Sequence, residues 1–411
     1  MASRHGLCFV LFVVACSRRS TPLPVTTTTT PSIADAGVVE AGWSGPHATA
    51  LAVGDHVWMA RMDDGSVWSW GFDSAGEAGP KAATSKRAIP SPIIGLSDVV
   101  KVAAQGHHAC AVLGDGHVDC WGESRSGELG SGTAVKAIHE PPAPVRDIDE
   151  VIDVGVGDEH TCAVRRDGTV WCWGANTFGA LGRGTDDFEP HPKPARAGDI
   201  RDAENVFIDG STTCVRLRGG RVRCWGMNSY GQVGIKQSIA PTWPVAFGTV
   251  DSATDMALAN GATCAVLADG TLRCSGYDGH GQLGPTKEKC ENGLFFIDVD
   301  PCRSKPTLVA GVSDVTSVSL GSHHACALQR SHEVVCWGGN DKGQLGDATL
   351  LSSATPVKVP GLKDIVQIGG RDAYTVALDR AGRVFWWGEV GSAWKEGPPS
   401  DVVRVEGLGP P

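Results

Sequence analysis

Short stretches in which apolar and polar residues alternate recur along the chain, separated by turns that are rich in glycine. In residues 160–174, HTCAVRRDGTVWCWG, the alternation continues on both sides of an Asp-Gly pair. That pattern predicts two antiparallel strands joined by a tight turn. With no helical period between them, four such stretches follow one another in a single segment of the chain: 99–106, 108–113, 117–122 and 143–148.

The same four-strand pattern returns seven times when the chain is aligned on its Trp-Gly pairs. Five of the six spacings are 50 to 52 residues, and the remaining one is 62 because it contains an insertion at 285–306. Seven such units predict an all-β fold, a seven-bladed β-propeller that spans residues 43–411. The tryptophan, or the residue in its place, stands at 70, 121, 173, 225, 275, 337 and 387.

The two ends of the repeat array suggest how the ring closes. The first unit starts at 49–55 with no strand of the fourth type before it, whereas the chain ends on such a strand at 401–408. If each blade takes its outer strand from the preceding unit, the C-terminal strand completes the first blade and latches the ring.

Ten of the 14 cysteines form pairs that are ten residues apart and lie on either side of a predicted hairpin turn. Facing residues of a hairpin have Cβ atoms roughly 4.5–5.5 Å apart, close to what a disulfide needs. Isolated pairs with this spacing do not match a zinc site. We predict one disulfide in each of the middle five units and a sixth inside the insertion, which indicates an oxidising compartment: Cys110–Cys120, Cys162–Cys172, Cys214–Cys224, Cys264–Cys274, Cys326–Cys336 and Cys290–Cys302.

Units such as DGTVWCWGANTFGALG (167–182) follow a common pattern, D-G-x-V-x-x-W-G-x-N-x-x-G-Q-L-G, between G-x-H-x-C/T-x-A-L and P-x-x-V. Over about residues 45–408 this resembles the repeat of the regulator of chromosome condensation family, and the resemblance implies a seven-bladed propeller. The nuclear member of that family catalyses nucleotide exchange on a small GTPase and docks on chromatin. An exported, acidic, disulfide-bonded chain is not expected to share those roles. In circumstance it is more similar to secreted bacterial propellers with this repeat, some of which inhibit β-lactamases.

The N-terminal sequence MASRHGLCFVLFVVAC predicts an export signal, because an arginine precedes a short apolar run and small residues. Residues 13–16, VVAC, resemble the bacterial lipobox, so we expect residues 1–16 to be a lipoprotein signal and Cys16 to be lipidated. The alternative is an ordinary cleaved signal in which Cys16 is incidental. Residues 17–42, rich in threonine and proline, are expected to form a disordered tether. The chain would then be exported and lipid-anchored to a bacterial membrane.

Charge and motifs narrow the chemistry. The net charge of −10, from 36 basic and 46 acidic residues, argues against a nucleic-acid surface. Histidines recur at the same point of the repeat, in 106–108, 159–160 and 322–324; metal ligation is one interpretation, and buried structural histidines are the one we favour. The chain shows no metalloprotease, calcium-loop, phosphate-loop or Gly-x-Ser-x-Gly motif. We expect no enzyme activity, no cofactor and no metal.

The residues just after each Trp-Gly vary most between units, and the symmetry of the repeat predicts that they gather on one face of the ring. Aromatic residues and arginine on a polar rim are typical of protein-binding sites, although these side chains could instead pack between blades. The insertion offers Phe295 and Phe296 as an apolar tip that either contacts a partner or lies back on its own blade. The candidates after Trp-Gly are Phe72, Arg125, Phe178, Tyr230, Tyr277, His280, Lys342 and Trp394.

These observations predict a monomeric, non-catalytic propeller that recognises a protein partner in the cell envelope or outside the cell. The alternatives are an inhibitor of a secreted enzyme such as a β-lactamase, an enzyme with its site at the propeller axis, and a purely structural envelope protein.

Overall fold

The computed structural model describes residues 45–409 except 46, 56, 72–75, 80–86, 135–136, 237–239, 286–300 and 390–400. Seven four-stranded antiparallel sheets, the blades, follow one another along the chain. Their first strands contact one another in sequence, and the seventh contacts the first, so these strands surround the axis of a closed ring. The predicted all-β, seven-bladed propeller is confirmed.

Each blade consists of four consecutive strands, numbered outward from the axis. Blades 1 to 4 comprise β1 Ala48–Val53, β2 Val57–Met62, β3 Val67–Gly71, β4 Arg87–Pro92; β5 Val99–Gln105, β6 His108–Leu113, β7 Val118–Ser124, β8 Ala137–Pro144; β9 Val151–Val156, β10 His160–Arg165, β11 Val170–Gly174, β12 His191–Arg196; β13 Ala203–Asp209, β14 Thr212–Leu217, β15 Val222–Gly226 and β16 Val245–Ala246. Blades 5 to 7 comprise β17 Ala253–Ala259, β18 Ala262–Leu267, β19 Leu272–Tyr277, β20 Cys302–Leu308; β21 Val315–Leu320, β22 His324–Gln329, β23 Val334–Gly338, β24 Ser353–Lys358; β25 Ile365–Arg371, β26 Ala373–Asp379, β27 Val384–Glu389 and β28 Val403–Arg404. The described residues contain one short 3-10 helix, Thr177–Gly179.

Two details differ from the sequence prediction. The fourth strand of blade 2 is Ala137–Pro144 rather than 143–148. The apolar residues Val145 and Ile148 are buried in the seam between blades 2 and 3, so their spacing reflects packing after the strand rather than pairing within it. The predicted C-terminal latch is also wrong, because β28 pairs with β27 in its own blade and blade 1 is complete without it.

Side chains close the ring between blades 7 and 1. The amide of Gln367 accepts a hydrogen bond from the Leu51 N–H at 2.8 Å and donates one to the Leu51 carbonyl at 2.9 Å. The Tyr374 hydroxyl donates to the Gly54 carbonyl, and its ring lies 5.3 Å from that of Trp58. A buried apolar cluster that includes Trp70 surrounds these contacts, so packing and side-chain hydrogen bonds replace a shared strand.

Side-chain hydrogen bonds to the backbone of a first strand also join other pairs of neighbouring blades. Asp153 accepts a hydrogen bond from the Val206 N–H of the next blade at 2.9 Å, and Asp255 accepts one from the Val318 N–H at 3.2 Å. An inner strand is the edge of its sheet and would otherwise leave such N–H groups without a partner.

The seams between blades depend on the tryptophan of the Trp-Gly pair. In five blades its indole N–H donates to a backbone carbonyl in the preceding blade at 2.7 to 2.9 Å, and the indole is buried. The five donors are Trp121, Trp173, Trp225, Trp337 and Trp387.

Blade 5 has Ser275 in place of this tryptophan. A methyl group built at Gly182 would lie 2.8 Å from the indole of Trp225, but at the equivalent Gly234 its nearest neighbour, at 2.7 Å, is the ring of Phe247. Phe247 is fully buried in the seam between blades 4 and 5. Its ring therefore takes the place of the missing indole.

The five hairpin cysteine pairs are bonded as predicted, each across directly facing residues whose Cα atoms are 4.1 Å apart. Cys302 is also disulfide-bonded, while its predicted partner Cys290 lies outside the described residues.

The recurrent histidines His108, His160 and His324 are buried, and each shares a hydrogen bond with a threonine of the next blade. His108 Nε2 lies 2.8 Å from the hydroxyl of Thr161, which donates its own proton to the Glu128 carbonyl. The neutral histidine must therefore donate from Nε2. These contacts support the structural interpretation of the histidines.

The buried histidines should make the fold sensitive to acid. Burial lowers the pKa of His108 to about 3, that of His160 to about 4 and that of His324 to about 3, from 6.5. The unfolded chain therefore binds more protons below pH 6.5, so stability is complete above that pH and is lost as the pH falls towards 3 to 4.

Between pH 7 and pH 5 each histidine should contribute a loss of about 2 kcal/mol in the free energy of unfolding. Urea unfolding at both pH values gives the free energy of unfolding of wild type and of His108→Gln. Its decrease from pH 7 to pH 5 should be about 2 kcal/mol smaller in the variant than in wild type. His117→Gln, an exposed position, serves as control. An equal decrease in wild type and His108→Gln would contradict the prediction.

Candidate partner-binding face

One face of the ring carries two sets of connections: the turns from the first to the second strand of each blade, and the longer loops from the third to the fourth. We call it the loop face. The glycine of each Trp-Gly directs the chain from the third strand into the loop, with φ of 105° at Gly174 and 109° at Gly338. A Cβ at Gly174 would collide with the Glu159 carbonyl of the first turn, so only glycine lets the two connections lie side by side.

The structure brings three of the predicted partner-binding residues into one aromatic strip across blades 4, 5 and 6. The ring centroids of Tyr230 and Tyr277 are 5.1 Å apart, and those of Tyr277 and His280 are 6.3 Å apart. The strip continues to His323, whose ring lies 3.9 Å from that of His280. Burial and the charge of His323 lower the pKa of His280, which favours a neutral imidazole at this exposed position of the strip.

The other described candidates lie on the same face without joining the strip. Phe178 lies in the short helix of blade 3 and is 40% exposed, with a φ of 59°. Arg125 and Lys342 are exposed and form ion pairs, Arg125 with Glu123 and Lys342 with Glu389 at 3.1 Å. Within the described residues no ring contact links these three side chains to the strip. Phe72, Phe295, Phe296 and Trp394 lie outside the described residues, as does Cys16.

Sequence reasoning missed a set of exposed apolar residues farther out on the same face. Each lies late in a loop between the third and fourth strands: Phe188 in blade 3, Trp243 in blade 4, and Leu350 and Leu351 in blade 6. Phe188 is 89% exposed and Leu351 is 76% exposed. We call these four residues the apolar rim. The sequence contained a signal for them, because an apolar residue appears in each of these otherwise polar loops shortly before the fourth strand.

Charged residues meet where the first turns surround the axis. The guanidinium of Arg371, in blade 7, forms ion pairs with Asp55 of blade 1 and with Asp209 of blade 4, on the opposite side of the ring. The Gln105 amide lies 3.3 Å from Asp209 and 3.2 Å from Asp158, so the network joins five blades. The cost of burying Arg371 is opposed by these two carboxylates, and the pKa of Arg371 is raised.

The part of the chain that the structure describes contains no group of three or more His, Cys, Asp or Glu side chains that could hold a metal ion. In the same ranges there is no helix with the length and hydropathy to cross a bilayer.

Comparison with known proteins identifies the repeat. Models of the regulator of chromosome condensation (RCC1) repeat match residues 99–128, 151–180, 210–232 and 315–344 in one form, and 115–164, 167–203 and 331–378 in a second.

The ultraviolet-B receptor UVR8 of Arabidopsis thaliana is 26% identical over 81% of this chain, and the human E3 ubiquitin-protein ligase HERC2 is 26% identical over 78%. The matched region spans 63% of UVR8 and 6% of HERC2. Among solved structures, Prp20p from Saccharomyces cerevisiae superposes with a TM-score of 0.68 at 22% identity, covering 80% of this chain and 81% of that one. Human WBSCR16 gives a TM-score of 0.67 at 19% identity, with 81% and 87% covered.

Proposed function

This chain belongs to the regulator of chromosome condensation repeat family, and from that premise we propose that it is a non-catalytic recognition protein that binds a protein partner with its loop face. The observation that carries the proposal is the aromatic strip of Tyr230, Tyr277, His280 and His323 on a face that also bears the apolar rim. Aromatic side chains with polar edges supply much of the binding energy at protein interfaces.

Relatives support a binding role while leaving the partner open. The solved structure of Prp20p is described together with its binding properties to Gsp1p and histones, whereas UVR8 is a receptor and HERC2 is a ubiquitin ligase. Proteins that share the repeat thus differ in what they do. In this chain the loops that follow Trp-Gly are the part of the scaffold that differs between units, so they are the part that would select a partner.

The test is affinity capture with the full chain as bait, using the cell envelope and the culture supernatant of the source organism. The loop-face variant Tyr277→Ala/His280→Ala is compared with Ile152→Ser/Val366→Ser, which changes two exposed apolar residues near the starts of first strands, at the opposite face. We expect a protein that binds wild type and the control saturably and binds the loop-face variant at least tenfold more weakly, a difference of about 1.4 kcal/mol. Absence of a saturable partner, or equal loss in both variants, would count against the proposal.

Export and anchoring belong to the same proposal. The apolar run that ends at Cys16, followed at once by a threonine- and proline-rich segment, supports a lipid anchor with a tether. Radiolabelled palmitate should enter wild type and not Cys16→Ser, which should also leave the membrane fraction. Equal labelling of the two chains, or none in wild type, would remove the anchor without affecting the recognition proposal.

A further inference from the structure

Two cavities open side by side where the loop face meets the axis, and Asp158 lines both. The first has a volume of about 250 Å³ and lies at the seam of blades 4 and 5. Its walls include the carboxylates of Asp158, Asp209 and Asp372, the guanidinium of Arg371 and the ring of Tyr230. The second, of about 400 Å³, extends from Asp158 towards Glu159 and Asp55.

The charges around the first cavity do not balance. Its lining residues include three aspartates and only one arginine, Arg371. Arg371 already forms ion pairs with Asp209 and with Asp55, which does not line this cavity. Asp158 accepts a hydrogen bond from the neutral Gln105 amide and, within the described residues, forms no ion pair. Partial burial and the charges of Asp209 and Asp55 raise the pKa of Asp158, so a cation placed beside it would relieve an existing repulsion.

The remaining wall is aromatic and narrow. The ring of Tyr230 packs against Gly261, where an added methyl group would approach it to 2.6 Å, and its neighbour Tyr277 extends the surface outward. Carboxylates beside an aromatic ring suit a planar cation that can stack on the ring and donate hydrogen bonds at the same time.

The protein itself shows that this mouth accepts such a group. Arg371 places its guanidinium between Asp55 and Asp209 with only 15% of the side chain exposed. Asp158 and Asp372 line the cavity next to it and are exposed, and Asp372 also accepts a hydrogen bond from the Ser322 hydroxyl at 3.3 Å.

We propose that the cavity lined by Asp158, Asp372 and Tyr230 is a binding site for an arginine side chain of the partner protein, with the adjacent chain of the partner lying along the aromatic strip. The inference rests on the proposed function and adds to it the chemistry of the residue that is recognised. Arginine fits better than lysine because its weakly hydrated, planar fork can pair with carboxylates and stack on Tyr230 together.

The probe is the pentapeptide acetyl-Ser-Gly-Arg-Gly-Ser-amide, titrated into the full chain by calorimetry and compared with the same peptide carrying citrulline or lysine. A dissociation constant on the order of 1 mM is expected for the arginine peptide. Citrulline should bind at least tenfold more weakly, since it keeps the shape and loses the charge. Lysine should bind severalfold more weakly, and raising NaCl from 20 to 200 mM should weaken the arginine peptide because the site is partly exposed.

Asp158→Asn should weaken the arginine peptide about tenfold. Asp372→Asn provides a second variant at the same cavity, and Asp269→Asn, which makes the same charge change in a hairpin turn at the opposite face, should have no effect. Equal binding of arginine and citrulline, or full affinity in both cavity variants, would overturn the inference.

The two proposals fail separately. A captured partner that depends on Tyr277 and His280 but binds Asp158→Asn normally would overturn the arginine site and keep the loop-face function. Arginine binding that Asp158→Asn abolishes, in a protein with no saturable partner, would support the cavity and overturn the function.

Discussion

Replacing Phe247 with alanine is expected to lower the free energy of unfolding by about 3–5 kcal/mol, because the ring is fully buried and its removal leaves a cavity in the seam of blades 4 and 5. The equivalent position can be identified in every blade by one backbone hydrogen bond, such as that from Val309 N–H to the Leu272 carbonyl. The other six residues there are smaller: Ile93, Val145, Ala197, Val309, Val359 and Val405.

A second pair of substitutions tests whether Phe247 matters specifically because its ring fills the space of the indole that blade 5 lacks, and not merely because it is a large buried side chain. Ser275→Trp alone should overpack the seam and cost about 1–3 kcal/mol. Combined with Phe247→Val it should approach wild-type stability, because the seam then has the residues that other blades use. Urea unfolding of the two single variants and the double variant gives the coupling energy. Phe188→Ala, the same chemical change at an exposed site, should alter stability by less than about 0.5 kcal/mol. Additive effects at 247 and 275 would refute the exchange.

Arg371→Met should lower the free energy of unfolding by about 3 kcal/mol, because it leaves Asp55 and Asp209 without their counter-charge. Methionine is chosen because it keeps much of the side-chain volume. The three side chains are 11 to 22% exposed, so water screens them only partly. The reason is the lost compensation for burying two carboxylates, and not the strength of an isolated salt bridge.

That explanation makes a further demand. The triple variant Asp55→Asn/Asp209→Asn/Arg371→Met removes all three charges and should be more stable than Arg371→Met alone. Arg380→Met, at an exposed arginine of the same blade, should be nearly neutral. A triple variant less stable than the single one would show that hydrogen bonding, and not charge, holds the axis together.

The sequence was sufficient for the propeller because each unit repeats its own turn and strand pattern, and seven copies constrain one another. It placed the fourth strand of blade 2 too late because the apolar residues Val145 and Ile148 were assigned to that strand, although they pack in a seam after it ends. The predicted closure of the ring by the C-terminal strand was also wrong. The contacts that close the ring come from single side chains, Gln367 and Tyr374, whose partners are more than 300 positions away in the chain.

The candidate face was only partly predictable for a related reason. Repeat symmetry placed Tyr230, Tyr277 and His280 on one face, but which of them touch depends on the turn and loop geometry of each blade. His323 lies in a first turn and meets His280 only because two different kinds of connection lie side by side there. The axial network could not be predicted in the same way. Asp55, Asp209 and Arg371 lie 15 or 16 residues before the tryptophan of their own units, but which of them pair depends on the closure of the ring.

Because every blade is made of four consecutive strands, a gene duplication that copies one unit copies one whole sheet and leaves the neighbouring sheets intact. In a ring latched by a shared strand, the first and last units depend on each other for that strand. Here the first and last units do not depend on each other for a strand. A copied unit would disturb side-chain contacts alone, those at the seam of blades 7 and 1 and those of the axial network that joins five blades.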